Sequence, residues 1–277
     1  MTTTATPGTA IVTGASSGIG ATYARKLARR GHGLVLVARN RERLQALATE
    51  LRAAHGVAVD VLPADLTVPA DVDAVIARLR GDAGITLLLN NAGMAVEGKV
   101  LDGAPAATDA MVQLNVVAVS RLAQAAAQVF AARGTGTLIN VASVLALAPE
   151  LFNAVYSATK AFVLALTQGL AAELQALGHH GVRVQAVLPG ATRTEIWERS
   201  GSDVNKFPPE MVMEVNDMVD AALAGLDQGE AVTIPPLQDA NDWNALNAAR
   251  LALAPKLSLR DPAPRYGVKA STAAVAA

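Results

Sequence analysis

The stretch Thr13-Gly14-Ala15-Ser16-Ser17-Gly18-Ile19-Gly20 lies between a short apolar run and an amphipathic segment. Its three glycines permit a tight turn and allow the backbone to approach a phosphate group closely. We predict a strand at Ala10–Thr13 and a helix over Ile19–Arg30, whose free N–H groups would face the turn. The residues expected to bind a dinucleotide there are Gly14, Ser16, Ser17, Gly18, Ile19 and Gly20.

The spacing of these glycines separates classes of nucleotide site. It differs from the Gly-x-Gly-x-x-Gly pattern, and no Gly-Lys-Ser/Thr follows, which disfavours a triphosphatase loop. Three glycines in a turn are also compatible with a purely structural turn. Their position at the end of a first strand in a βαβ array favours nucleotide binding.

Short β-rich runs alternate with longer amphipathic segments along the chain. The predicted strands are Ala10–Thr13, Leu34–Ala38, Val57–Leu62, Ile85–Leu89, Thr137–Val141, Val182–Leu188 and Ala231–Ile234. The predicted helices cover about residues 19–30, 41–54, 69–80, 108–132, 154–177 and 211–226. This order predicts an α/β fold: a Rossmann-like, doubly wound, mostly parallel sheet of about seven strands with helices on both faces. Ligands of such sheets bind outside the carboxyl ends of the strands.

Composition excludes several classes of function. The 23 basic and 24 acidic residues nearly cancel, so no binding of nucleic acid or of an anionic membrane is expected. Cysteine is absent, and the four histidines show no ligand spacing, so no metal site is expected. The apolar runs are shorter than the roughly 18 residues of a membrane helix, and no targeting segment is visible. We therefore expect a cytoplasmic protein.

Two further motifs follow the glycine turn in order: Asn90-Asn91-Ala92-Gly93 and Tyr156-x-x-x-Lys160. Together the three motifs resemble the short-chain dehydrogenase/reductase family over about residues 9–234. The resemblance implies an NAD(P)(H)-dependent oxidoreductase that interconverts a ketone or aldehyde and its alcohol by hydride transfer. Two alternatives stay open. One is a catalytically silent NADP(H)-binding regulatory or scaffold protein, and the other is an isomerase or dehydratase that uses its cofactor transiently.

The catalytic candidates are Tyr156, Lys160, Ser143 and Asn115. Tyr156 and Lys160 share a helix face, and a nearby ammonium is expected to lower the pKa of a phenol from about 10. Tyr156 would then serve as general acid and base. Ser143 would orient the substrate oxygen, unless it is merely a helix cap. The resemblance implies that Asn115 holds a water molecule that connects Lys160 to bulk solvent. The alternative is that Asn115 only forms a local cap or kink.

Cofactor choice depends on Arg39, directly after the second strand. An acidic residue there would bind the ribose hydroxyls, whereas arginine pairs with a 2′-phosphate, so NADP(H) is favoured over NAD(H). The alternative is a solvated loop charge. The resemblance assigns further cofactor contacts to Asp65, Leu66, Asn91, Ala92, Gly93, Tyr156, Lys160, Pro189, Gly190 and Thr192. For Asp65, capping of a turn is an alternative.

Residues 1–237 are expected to form a single oxidoreductase domain with a substrate lid within residues 191–213, called the lid below. Residues 238–277 are expected to form a C-terminal helix and a flexible tail. Apolar walls favour an uncharged or hydrophobic carbonyl substrate, unless these residues only pack the lid; they are Met94, Val144, Leu145, Phe152 and Trp197. Small residues recur at helical spacing and favour a homodimer or homotetramer, or close packing within the chain: Ala161, Ala165, Gly169 and Ala172.

Overall fold

The computed structural model of the protein describes residues 7–96 and 98–268. Its main sheet contains the parallel strands β1 Thr9–Thr13, β2 Gly33–Ala38, β3 Val59–Pro63, β4 Ile85–Asn90, β5 Gly136–Val141, β6 Val182–Val187 and β9 Val232–Thr233. A second, two-stranded sheet pairs β7 Thr192–Arg193 with β8 Met213–Glu214. The helices are α1 Gly18–Arg29, α2 Arg41–His55, α3 Pro69–Gly81, α4 Pro105–Val112, α5 Val119–Arg133, α6 Ala154–Ala176, α7 Ile196–Ser200, α8 Val215–Asp227 and α9 Ala240–Leu251.

The strand order β3-β2-β1-β4-β5-β6-β9 confirms the predicted fold. The order reverses direction between β1 and β4, where Ile11 of β1 pairs with Val35 of β2 on one side and Leu88 of β4 on the other. The carboxyl ends of β1 and β4 therefore border the crevice at which ligands bind in such sheets.

Helices cover both faces of the sheet. Apolar residues of α1, α2 and α8 form one buried cluster against it, with Leu27, Leu44 and Leu223 as members. Residues of α3, α5 and α6 form a second cluster on the opposite face, which includes Val75 and Phe130. Burial on both faces explains why the strands are almost continuously apolar in sequence.

The long helix predicted over residues 108–132 is interrupted. Helix α4 runs into a π-helical segment, Gln113–Ala118, which leads directly into α5. Such widened turns are often found at functional sites, and this one contains Asn115. By length and composition alone the stretch Pro105–Arg133 could cross a membrane, but half of its most apolar window is buried inside the protein, as in a core helix.

The helix predicted from residue 211 begins later, at Val215. The preceding residues are used differently: Pro209–Met211 forms a 3₁₀ turn, and Met213 and Glu214 pair with Thr192 and Arg193. The prediction is wrong here because a pairing across the lid overrides the local helical pattern. The remaining predicted elements occur close to their expected positions.

The chain divides after Pro236 into two compact units. The second unit contains α9, where the Oδ1 atom of Asp239 accepts a hydrogen bond from the N–H of Asn241 at 2.9 Å. Pro255 lies in a 3₁₀ turn, Ala254–Lys256, beyond this helix. The end of the predicted tail, residues 269–277, lies outside the described residues.

Candidate active site

The glycine turn has the backbone geometry that its sequence requires. Gly14 and Gly18 have φ angles of +67° and +52°, which favour glycine, and a Cβ atom on Gly20 would lie 2.3 Å from the carbonyl oxygen of Gly14. The side chain of Ser17 caps no N–H group of α1, and the first turn of this helix has no acidic residue. The positive end of α1 is thus available, which fits the diphosphate of a dinucleotide.

Thr13 and Asn91 tie the ends of β1 and β4 together at the switch point. The hydroxyl of Thr13 donates to the carbonyl of Leu89 at 3.1 Å and accepts from the N–H groups of Asn91 and Ala92 at 2.9 and 3.0 Å. The amide of Asn91 donates to the carbonyl of Thr13 at 2.9 Å. The side chain of Asn91 therefore holds the strand ends in place.

Two charged groups mark the end of the crevice beyond β2 and β3. Arg39 is exposed directly after β2. An oxygen of Asp65 accepts hydrogen bonds from the N–H and hydroxyl of Thr67, at 3.0 and 2.7 Å, so Asp65 caps a turn. Burial raises the pKa of Asp65, but these hydrogen bonds and the charge of Arg39 outweigh it and hold the pKa below its usual range. The side chain of Leu66 is buried in the core.

Tyr156, Ser143 and Lys160 converge at the carboxyl end of β5. Asn153 begins α6 by accepting hydrogen bonds from the N–H groups of Val155 and Tyr156, at 3.0 and 3.1 Å. The phenol of Tyr156 is hydrogen-bonded to the Ser143 side chain. Ser143 also caps a 3₁₀ turn, since its Oγ accepts from the N–H of Leu145 at 3.2 Å.

Lys160 reaches inward from the same helix. Its side chain is buried, its Nζ atom donates to the carbonyl of Val141 at 3.0 Å, and Nζ lies 5.7 Å from the ring centre of Tyr156. The cation is therefore beside the phenol without bonding to the phenol oxygen. The four candidate catalytic residues Asn115, Ser143, Tyr156 and Lys160 are called the catalytic floor below.

The pKa of Tyr156 differs from the expectation. Burial raises it to about 12, and the hydrogen bond from Ser143 only partly offsets this rise. Burial also lowers the pKa of Lys160 to about 8. The expected lowering by Lys160 is wrong for this structure, because loss of solvation dominates both groups. The phenol stays protonated at neutral pH, as a proton donor must be.

Asn115 is held on three sides. Its Nδ2 atom donates to the carbonyl of Met94 at 2.8 Å and to the hydroxyl of Thr159 at 3.1 Å, and its Oδ1 atom accepts from the N–H of Met94 at 3.0 Å. A Cβ atom on Gly93 would lie 3.3 Å from this Oδ1 and 3.5 Å from Nζ of Lys160. The missing side chain of Gly93 thus leaves space between the two groups.

The segment after β6 wraps against Ser143. The carbonyl of Pro189 accepts from the N–H of Val144 at 3.0 Å and lies 3.5 Å from Oγ of Ser143. The hydroxyl of Thr192 donates to the carbonyl of Gly190 at 3.1 Å. These contacts place Pro189 beside Ser143 and link Thr192 to Gly190, in the segment where the nicotinamide end of a dinucleotide was expected.

The predicted substrate walls have distinct surroundings. The Phe152 ring meets Tyr156 edge-on at 5.6 Å. Trp197 packs on Phe207 at 5.0 Å, and its indole N–H donates to the carbonyl of Thr192 at 2.8 Å. The other predicted wall residues, Met94, Val144 and Leu145, are partly buried.

The lid crosses toward α2. Glu195 accepts a hydrogen bond from Arg43 at 2.7 Å and another from Arg199 at 2.6 Å. The side chain of Thr194 approaches the position that a Cβ atom of Gly18 would occupy, at 3.2 Å. The lid therefore contacts both the glycine turn and the helix after Arg39.

Sequence reasoning missed three of these contributors. Arg43 and Glu195 are 152 residues apart, and no local pattern indicates their pairing. Thr159 lies inside the Tyr156-x-x-x-Lys160 motif, where a hydroxyl on the inner helix face was the available signal.

Among the described residues, no group of three or more His, Cys, Asp or Glu side chains could hold a metal ion.

Comparison with known proteins agrees with this geometry. The chain matches the short chain dehydrogenase family over residues 8–205. A short-chain dehydrogenase from Sphingobium yanoikuyae in complex with NADPH is 54% identical, covers 94% of this chain and 99% of its own, and superimposes with a TM-score of 0.89. The bulky-bulky ketone specific alcohol dehydrogenase from Comamonas testosteroni is 48% identical with the same coverages and a TM-score of 0.85.

An uncharacterised oxidoreductase of Staphylococcus epidermidis is 34% identical over 226 residues, which are 81% of this chain and 93% of that protein. The match thus extends over most of both chains. Together with the sheet order, the glycine turn and the Tyr156–Lys160 pair, it establishes the identity at family level. This oxidoreductase is a member of the short-chain dehydrogenase/reductase family.

Proposed function

We propose that the protein is an NADP(H)-dependent reductase of ketones or aldehydes, with Tyr156 as the general acid. One observation carries the proposal: the phenol of Tyr156, hydrogen-bonded to Ser143 and flanked by Lys160, lies at the same sheet edge as the glycine turn. A proton donor beside a dinucleotide site is what reduction of a carbonyl requires.

The chain's own residues would handle the proton. Ser143 and Tyr156 hydrogen-bond the carbonyl oxygen, and the proton passes from the phenol to that oxygen as the C–O double bond becomes single. When bound, the reduced nicotinamide supplies the hydride that the carbonyl carbon gains. The phenolate left behind is stabilised by the ammonium of Lys160, since an opposite charge within a few ångströms favours the charged form.

The proposed preference for NADP(H) depends on Arg39. Its exposure at the end of β2 leaves the guanidinium free to approach a phosphate at this edge, and no acidic residue stands between Ala38 and Arg41 to bind ribose hydroxyls. The NADPH bound to the Sphingobium relative supports the same choice.

For the substrate we propose a bulky, uncharged ketone. Phe152 supplies aromatic surface beside Tyr156, and Trp197 and Phe207 pack on each other within the lid; apolar walls bind uncharged groups best. The specificity named for the Comamonas alcohol dehydrogenase supports this class. A panel of aryl ketones, aliphatic ketones and aldehydes, followed by NADPH absorbance, tests the assignment.

The decisive experiment is Tyr156→Phe. We expect turnover of NADPH with every carbonyl to fall at least about 10²-fold, the lower end of what general acid–base catalysis contributes, while the Kd for NADPH changes little. Retained turnover would refute the role of Tyr156. Tight NADPH binding by the wild type with no turnover across the panel would instead favour the silent binding protein.

We also propose a homodimer formed through α6. Of the predicted stripe, Ala161 is partly buried, whereas Ala165, Gly169 and Ala172 are exposed and so do not pack against the described part of the chain. Small residues on a helix allow close approach of another helix. Gly169→Leu should shift the protein toward the monomer in light scattering, whereas Leu177→Ala, at the exposed end of α6, should not. An unchanged dimer in Gly169→Leu would exclude this interface.

A further inference from the structure

Thr159 lies between Tyr156 and Lys160 on α6 and is 3% exposed. Its hydroxyl donates to the carbonyl of Tyr156 at 2.7 Å and accepts from Nδ2 of Asn115 at 3.1 Å. One side chain therefore connects the backbone of the proposed acid to the amide in the π-helical segment. No other contact described above joins these two catalytic residues.

This hydroxyl completes the bonding of the Asn115 amide. The two hydrogens of Nδ2 go to Thr159 and to the carbonyl of Met94, and Oδ1 accepts from the N–H of Met94. Rotating the amide by 180° would set like groups against each other at both Met94 contacts, and the Thr159 hydroxyl would have to give up its bond to the carbonyl of Tyr156 in order to donate to Oδ1. The orientation of Asn115 is thus unique, and its Oδ1 borders the space beside Gly93 that Nζ of Lys160 also borders.

We propose that Thr159 is a positioning residue for the reaction: its hydroxyl holds the second Nδ2 hydrogen of Asn115, keeps this amide beside the space that Lys160 also borders, and thereby sets how readily Tyr156 exchanges its proton. The proposal rests on the roles of Tyr156 and Lys160 given above. The groups facing Tyr156 are Lys160 from its own helix and the Ser143 hydroxyl from the end of β5. Among the described residues, no carboxylate bonds to Tyr156 or Lys160.

The same helix contains a matched control. Thr167 is 1% exposed, its hydroxyl donates to the carbonyl of Val163 at 2.6 Å, and it accepts from Nδ2 of Asn140 at 3.0 Å. Replacing Thr159 or Thr167 by valine removes the same pair of hydrogen bonds at equal burial. Only the first change loosens Asn115.

The experiment compares Thr159→Val, Thr159→Ser and Thr167→Val with the wild type. Four quantities are measured: kcat and kcat/KM against pH for NADP⁺-dependent oxidation of an alcohol, the Kd of NADPH by nicotinamide fluorescence, and Tm. Serine keeps the hydroxyl, and valine keeps the shape without it. The Kd and Tm do not depend on turnover.

For Thr159→Val we expect kcat to fall about tenfold, a modest part of the roughly 10²–10⁴ from acid–base catalysis, and the acid limb of kcat/KM to move upward by about half a pH unit or more. Without the Thr159 hydroxyl the Asn115 amide is less firmly placed beside the space that Lys160 borders, so the proposal predicts that the phenolate forms less readily. Thr159→Ser should keep both values near wild type. Thr167→Val should lower Tm by about as much as Thr159→Val does, but should not move the acid limb of kcat/KM.

A wild-type acid limb in Thr159→Val overturns the proposal. It is equally overturned if Thr159→Ser is as impaired as the valine variant, if Thr167→Val moves the limb too, or if Thr159→Val weakens NADPH binding severalfold. Failure of the proposed function is a separate result: Tyr156→Phe would then retain turnover, whatever the Thr159 variants do.

Discussion

The catalytic floor and the lid are held by different kinds of interaction. Lys160 and Asn115 are 6% and 1% exposed, and each bonds to partly or fully buried partners. Glu195 and Arg43, which attach the lid to α2, have side chains 41% and 48% exposed. Buried hydrogen bonds cannot be exchanged for bonds to water, whereas exposed ion pairs contribute only about 0–1 kcal/mol. The side chains of the catalytic floor are thus held by buried bonds, while the lid is attached to α2 by weak, exposed contacts.

The largest effect should come from removing the buried charge. Lys160→Met is expected to lower kcat/KM by about 10²-fold or more, since the phenolate loses its stabilising cation. Steady-state kinetics with NADPH and a ketone of the panel that the wild type reduces measure this loss. A loss below tenfold would show that the phenol works without the ammonium.

The same variant should be more stable. Burial lowers the pKa of Lys160 to about 8, so folding opposes its protonation, and this cost is fully present below pH 8. In the wild type the free energy of unfolding should therefore rise between about pH 8 and pH 10. In urea unfolding at pH 7, the free energy of unfolding of Lys160→Met should exceed that of the wild type by about 1–3 kcal/mol. The variant should also lack the part of the increase between about pH 8 and pH 10 that comes from Lys160. Equal stability at pH 7 would indicate that the charge is well solvated.

An intermediate effect is expected at the exposed edge. Arg39→Asp should lower the ratio of kcat/KM for NADPH over NADH by about 10- to 100-fold, the loss of one charge-assisted hydrogen bond. Arg250→Asp, on α9, makes the same charge change and should leave the ratio unchanged. An unaltered ratio in Arg39→Asp would contradict the assigned cofactor preference.

The smallest effect should come from the lid. Glu195→Gln weakens the pair with Arg43, and we expect NADP⁺ release in stopped-flow fluorescence to become about two- to fivefold faster. High salt should bring the wild type toward the variant, because screening weakens exposed pairs. Glu50→Gln breaks a pair with Arg25 of similar exposure, away from the crevice, and serves as the control. Equal release rates would show that the lid is not held by this pair.

Some elements of the fold and of the site could be predicted from the sequence, and others could not. Ser143 and Gly14 were recognisable because each follows a predicted strand, and parallel strands end at one edge. The start of α8 was not recognisable, since the pairing of Met213 with Thr192 competes with a local helical pattern. The π-helical turn around Asn115 was not recognisable for the same reason: its polar contacts come from Met94 and Thr159, which are distant in sequence.

The linear order of residues by itself determined the sheet, the glycine turn and the family, because periodicity, glycine positions and motif spacing are local properties of the chain. Only the tertiary structure decided that the pKa of Tyr156 is raised and that of Lys160 is lowered, because loss of solvation depends on everything packed around a group. It alone also decided the contacts of Thr159, Arg43 and Glu195, which form only when distant segments meet.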